Sequence, residues 1–246
     1  MPQLENRCLV ALIRQRSWFD SNTANMKLQL TYPLQSVNIS QIFGANPQIY
    51  SQAMYGGIKG HNGIDFVAGH GTPIYASHDG VAFYEYDGGQ GEGVVLRTND
   101  QFDDGAGGQC YYKTIYWHMC DPIKEPKLTS PVYKAVGFKP DQTGVSQIGW
   151  KVSLGDLIGY ADNTGASTGD HLHFGLKPVA QGESNGAWYN TEQANGYNGA
   201  IDPQPFFDGS YPQQIWSWTQ KISIMQKMIV AYQQLINLVK GTPARQ

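Results

Sequence analysis

Over most of the chain, apolar and polar residues alternate in short runs that Gly, Pro, Asn and Asp cut apart. Such alternation predicts half-buried strands, because successive side chains of a strand point to opposite faces. Lys27–Tyr32 (K-L-Q-L-T-Y) predicts a first strand that Pro33 ends. Residues 36–60, rich in Gly, Asn, Gln and Tyr, read as loop. Residues 60–86 read as strand, glycine turn, short strand, Asp79-Gly80 turn and strand. Val94–Thr98 and Tyr111–His118 follow as β-branched and aromatic strands. Asp121–Gln147 is dense in Pro and Gly and reads as an inserted loop. Lys151–Tyr160 predicts a strand pair around Gly155-Asp156, and Gly182–Gly199 is a further polar loop. With no helical period between these strands, the pattern argues for an antiparallel barrel or sandwich.

The period changes near the end. Ile215, Trp218, Ile222, Met225, Ile229, Tyr232, Ile236 and Val239 recur at alternating spacings of three and four, a heptad stripe. No acidic residue follows Asp208, whereas Lys221, Lys227, Lys240 and Arg245 do, so a basic amphipathic helix is expected. Such a helix can dock on its own domain. Residues 213–240 can otherwise serve self-association, or contact with an assembly or membrane surface. Gln226, Lys227, Gln233, Gln234 and Asn237 interrupt the apolar run, which argues against a membrane span. Three regions are therefore expected: an N-terminal arm (1–26), a β domain (27–208) and the helix (209–246).

Composition agrees with this division. The 246 residues can bury a substantial core, and 29 glycines with 15 tyrosines favour turns and strands. A net charge of -3 gives no electrostatic case for nucleic acid. Cys8, Cys110 and Cys120 cannot all pair. Cys110 and Cys120 bracket an extended run whose ends lie roughly 30 Å apart, so both read as free packing thiols. Neither precedes a helix N-terminus that would activate it, which argues against a cysteine peptidase. The apolar run Cys8–Ile13 is short, flanked by arginines and followed by no small-residue cleavage site, so a secretory signal is not expected.

Candidate chemistry lies in the histidines. The stretch Gly165–Gly175 (G-A-S-T-G-D-H-L-H-F-G) predicts a strand leaving a tight turn, with His171 and His173 on one face and Leu172 and Phe174 on the other. In H-N-G-I-D, His61 and Asp65 share a face if the segment is extended, and Gly63 permits a close backbone approach. His118 ends the aromatic strand Y-W-H-M. If His61, Asp65 and one histidine of the H-x-H pair converge, they form a three-ligand site for zinc with an open fourth position, the catalytic pattern. The remaining histidines would be free to act on a metal-bound water and a polarised carbonyl. His70 and His78 lie in turns and carry no expected role. Tyr55 and Tyr116 are candidates for hydrogen-bonding a transition state.

Four blocks, G-H-N-G-I-D, G-T-P-I-Y-A-S-H-D-G, Y-W-H-M and G-A-S-T-G-D-H-L-H-F-G, resemble the signatures of the LytM/lysostaphin-type zinc endopeptidases that cut peptidoglycan. The resemblance runs from about Lys59 to Leu176, with the closing D-P-Q-P-F-F in addition. It implies a small antiparallel β core with a groove walled by loops, and a bacterial peptidoglycan peptide as partner. It implies His61, Asp65 and His173 as zinc ligands, with His118 and His171 as the non-ligand catalytic histidines. The alternative of a non-hydrolytic wall-binding or hydrolase-activating protein would be expected to have lost ligands, and all five positions are filled. Two departures stand out: Asp121–Gln147 lengthens a connection that is usually compact, and Asp170 replaces a proline. Action at the bacterial cell wall without an evident signal would fit a phage or virion enzyme, or another export route.

Overall fold

A computed structural model describes residues 26–53, 56–139, 142–180, 193–213, 222, 225–226, 228–230, 232–233 and 236. Its centre is an antiparallel sheet in the order β1-β2-β11-β7-β5-β4-β8, with β6 added on β7 and β9 on β4. These strands are β1 (Ile39–Gln41), β2 (Ile64–Val67), β4 (Gly80–Asp87), β5 (Gly91–Thr98), β6 (Phe102–Asp103), β7 (Gln109–Met119), β8 (Gly144–Val145), β9 (Trp150–Val152) and β11 (His171–Val179). A separate two-stranded sheet pairs β3 (Pro73–Tyr75) with β10 (Leu157–Tyr160). The fold is mainly β as expected, and the sheet stays open rather than closing into a barrel.

The two-residue period decides which face does what. Phe66, Tyr84, Val94, Leu96, Tyr116, Leu172, Phe174 and Leu176 are buried on one face, in the main core with Leu28, Leu30 and Ile158. Tyr116 and Phe174 meet edge to face at 5.2 Å, and Phe66 packs on Phe174 at 6.1 Å. The alternate positions, Asp65, Lys113, Ile115, Trp117, His171, His173 and Lys177, line a groove on the opposite face. Phe83, Val95, Ile115, Trp117 and Val179 give that face a small apolar patch of its own.

Some expectations require correction. Lys27–Tyr32 is not a sheet strand: Leu30 makes one isolated bridge, to Phe207, and Leu28 and Leu30 are buried by tertiary contacts. Thr31 donates its N–H to the Ser77 carbonyl and Tyr32 to that of Ser210, so the segment bonds to loops. The halves of Lys151–Tyr160 do not pair with each other, since β9 pairs with β4 and β10 with β3. The long connection is not wholly loop. It holds β8 and two short helical stretches, Pro126–Leu128 and α2 (Pro131–Val136), the latter following α1 (Pro47–Tyr50). Ser130 caps α2 by accepting the N–H groups of Val132 and Tyr133, and Gly137 ends it at φ +61°. Cys110 and Cys120 are free and buried.

The arm (1–25), Tyr55 and most of the 182–199 loop lie outside the described residues, as do Ile215, Trp218 and Val239 of the heptad stripe. Ile222, Met225, Ile229, Tyr232 and Ile236 are helical and exposed. Among the described residues, no helix is long and apolar enough to cross a membrane.

Candidate metal centre and active site

Three adjacent strands bring the site together. His173 on β11 lies opposite Asp65 on β2 and Trp117 on β7, so period-2 geometry sets both side chains on the groove face. His61 precedes β2, and its N–H donates to the Ala45 carbonyl. The Nε2 atom of His61 lies 3.1 Å from Asp65 Oδ1 and 2.9 Å from Nδ1 of His173, which is itself 3.1 Å from Oδ1. Gly63 makes this convergence possible. A Cβ there would stand 2.6 Å from the Phe174 carbonyl oxygen and 2.7 Å from His173 Cε1. Tyr50 stacks on the His61 ring at 5.3 Å, and the three converging side chains are largely shielded from water.

The donor set fits a cation. His61 Nδ1 lies 3.2 Å from the Ile42 carbonyl, which can only accept, so the proton sits on Nδ1 and Nε2 presents a lone pair. That lone pair, the Asp65 carboxylate and His173 Nδ1 share a space about 3 Å across. One proton on His173 would leave two acceptors facing each other, whereas an ion of radius suited to N and O ligands satisfies all three. Burial alone would raise the Asp65 carboxyl. The hydrogen bond from His173, with the His61 ring close by, overrides it and holds the group well below the usual carboxylate range. Burial lowers the His173 imidazole, against the pull of Asp65.

His118 and His171 close the site, their ring centroids 4.5 Å apart. His118 adopts φ +65°, a left-handed conformation that non-glycine residues rarely take. The register explains it: Glu92 pairs with Met119 and Gly93 with Trp117, so His118 is the extra residue of a bulge. The bulge re-aims the imidazole so that it lines the groove beside His171. Its Nδ1 donates to the Thr164 carbonyl at 2.6 Å, leaving Nε2 as the free nitrogen. Burial pushes this imidazole down to about 4, so it is neutral near pH 7. His171 holds Nδ1 against the Gly169 carbonyl (2.8 Å) and Ser167 Oγ (3.2 Å), with Nε2 3.7 Å from Asp65 Oδ1.

The groove measures about 850 Å³. Lys113 and Lys177, directly opposed on β7 and β11, line it together with Glu85. Burial and the charge of Lys113 push the Lys177 ammonium down to about 8. Neither lysine was singled out in the sequence, although both occupy odd positions in register with His171, His173 and Trp117. Thr164, which orients His118 through a carbonyl, left no side-chain signal. Tyr116 points away from the groove: its hydroxyl lies 3.0 Å from the Ser77 nitrogen and 3.1 Å from Thr114 Oγ1 in the core, because it alternates with Ile115 and Trp117. His78 is likewise buried, between Thr114 and the Asp79 carbonyl.

No protein-family model matches the chain. It is 32% identical over 148 residues to a metalloprotease of Haemophilus influenzae, covering 58% of this chain and 23% of that protein. It is 31% identical over 145 residues to the DD-carboxypeptidase/endopeptidase Mpg of Neisseria meningitidis (58% and 25%). With the peptidoglycan DD-endopeptidase ShyC of Vibrio cholerae it shares 30% over 160 residues (64% and 29%). The chain thus spans about a quarter of the length of the curated relatives it matches. Among solved structures, it is similar to the catalytic domain of lysostaphin from Staphylococcus simulans at 20% identity and a TM-score of 0.38, over 73% of this chain and 91% of that one.

Proposed function

We propose that this chain is a LytM/lysostaphin-type zinc metallopeptidase that hydrolyses peptide bonds in bacterial peptidoglycan, with 27–208 as its catalytic domain. The observation that carries this reading is the meeting of His61 Nε2, Asp65 Oδ1 and His173 Nδ1 in one groove with two histidines whose Nδ1 atoms are already engaged. His61, Asp65 and His173 would hold the zinc. When bound, zinc supplies Lewis acidity, giving the attacking water a lower pKa and polarising the scissile carbonyl.

The chain's own residues do the rest. His118, neutral and with Nε2 free, takes the proton of the attacking water and returns it to the leaving amine. His171, fixed through Nδ1 by Gly169 and Ser167, presents Nε2 to the same space and, with a proton on both ring nitrogens, donates to the carbonyl oxygen as it gains charge. The bulge at His118 holds the base against its strand's normal direction.

The lysine pair supports a finer reading of substrate. Two ammonium groups partly shielded from water in the groove recognise carboxylates, which direct D-alanyl to diamino-acid cross-links carry and oligoglycine bridges lack. The DD-endopeptidase names of two relatives agree with that choice. Residues 213–240, whose described apolar side chains are exposed, would serve self-association. Light scattering of the full chain should then give an oligomer, and a truncation at 208 a monomer. Two monomers would refute the assignment. A phage-borne or separately exported enzyme would reach its substrate outside the cytoplasm.

Zinc uptake by metal-free protein tests the ligand set. His61→Ala, Asp65→Ala and His173→Ala should each lose one equivalent that chelation also removes, whereas His118→Ala should keep it and lose hydrolysis. Retention of that equivalent in all three ligand variants would overturn the reading.

A further inference from the structure

A second cluster of metal-ligating side chains lies outside the groove. His70 follows β2, Cys120 follows β7, Glu125 sits in the lengthened connection, and Asp162 follows β10. One donor atom from each lies within 4.8 Å of the others, and none of the four lines the groove. The His70 ring stands between two carboxylates, with Nε2 2.7 Å from Glu125 Oε2 and Nδ1 3.0 Å from Asp162 Oδ1. Cys120 is 2% exposed and points its thiol into the cluster, where Sγ is 3.3 Å from the Ala161 carbonyl.

We propose that Cys120, His70, Glu125 and Asp162 form a second site for a zinc-class dication, structural rather than catalytic. The chemistry of the set argues for this. One thiol, one imidazole and two carboxylates are a complete tetrahedral complement for a borderline cation, with no position left open for water. Two carboxylates around one imidazole leave a negative charge that a dication neutralises, and the Cys120 thiol would lose its proton on binding the ion.

The four residues come from four separate segments, and the site sits behind the catalytic histidines. The Asp162 N–H donates to the His118 carbonyl at 2.8 Å, and the His171 N–H to the Asp162 carbonyl at 3.3 Å. Asp170, beside His171, accepts the His70 N–H at 3.1 Å. An ion here would staple the lengthened connection, through Glu125, to the backbone that carries His118 and His171. This inference does not rest on the groove being an active site.

The competing arrangement is a plain ion-pair cluster, in which His70 bridges the two acids and Cys120 remains a thiol. Cobalt(II) separates the two, because a thiolate ligand gives cobalt an intense near-ultraviolet charge-transfer band that His and Asp ligands do not. Metal-free full-length protein titrated with cobalt(II) should develop that band and bind two equivalents. His70→Ala, at an exposed position, and Cys120→Ser, close in shape, should each abolish the band and lower the stoichiometry to one. His173→Ala should keep the band while losing the other equivalent. A missing band in the wild-type protein, or a band that survives both His70→Ala and Cys120→Ser and so belongs to another thiol, would overturn the proposal.

Discussion

Buried His78 should make the fold sensitive to acid well above the carboxylate range. It lies on the core face, with Nδ1 2.9 Å from the Asp79 carbonyl and Nε2 3.0 Å from Thr114 Oγ1. Thr114 Oγ1 also meets the buried Tyr116 hydroxyl at 3.1 Å, so the network suits a neutral ring. Burial pushes this imidazole from 6.5 down to about 4. Its folded pKa is depressed, so the unfolded chain binds the proton first. The contribution is fully present above about pH 6.5 and is lost as pH falls from there towards 4. At pH 4.5 the loss is between about 2 and 3 kcal/mol, since each tenfold difference in proton affinity between the folded and unfolded chain is worth roughly 1.4 kcal/mol. With a urea slope of about 2 to 3 kcal/mol/M, the unfolding midpoint of metal-free protein should drop by roughly 1 M between pH 7.5 and 4.5 from this residue alone. His118 and Asp65 titrate too, so the informative quantity is the difference from His78→Gln, which cannot titrate there. A wild-type pH slope indistinguishable from that of His78→Gln would refute the reasoning.

Other consequences follow from the same geometry. Gly63→Ala should weaken zinc binding at least about tenfold in a chelator competition, because its Cβ would meet the Phe174 carbonyl at 2.6 Å and displace the His173 ring. Phe174→Ala, which empties a fully buried position between Phe66 and Tyr116, should cost about 3 to 5 kcal/mol in denaturant unfolding. Lys177→Met should lower kcat/KM on carboxylate-bearing wall peptides by roughly tenfold to a hundredfold, as loss of a charge-assisted hydrogen bond predicts, and should spare neutral glycine peptides.

What could be read from the sequence was whatever depends on local period. Alternation placed Leu172 and Phe174 in the core and His171 and His173 on the other face, and the same period in β2 put Asp65 beside Ile64 and Phe66. Non-local pairing was not legible. Nothing in K-L-Q-L-T-Y distinguishes a ladder strand from an extended segment bonded to Ser77 and Ser210, and nothing near Gly155 shows that β9 and β10 pair elsewhere. The bulge at His118 was hidden because its cause is an unequal count against Glu92 and Gly93 on another strand. His70, a turn histidine in the sequence, meets Glu125, Asp162 and Asp170 because loops distant in the chain close over it.

The central claim is that the five groove residues cut a peptide bond in the wall. The direct measurement is mass analysis of fragments released from two purified peptidoglycans, one directly cross-linked and one glycine-bridged, by protein with zinc, with chelator, and by His173→Ala and His118→Ala. The account predicts new amino termini at the D-alanyl to diamino-acid bond of the directly cross-linked wall, abolished by chelator and by both substitutions. Intact wall of both types, incubated with zinc-loaded wild-type protein, would contradict it and leave a wall-binding or hydrolase-activating protein in its place.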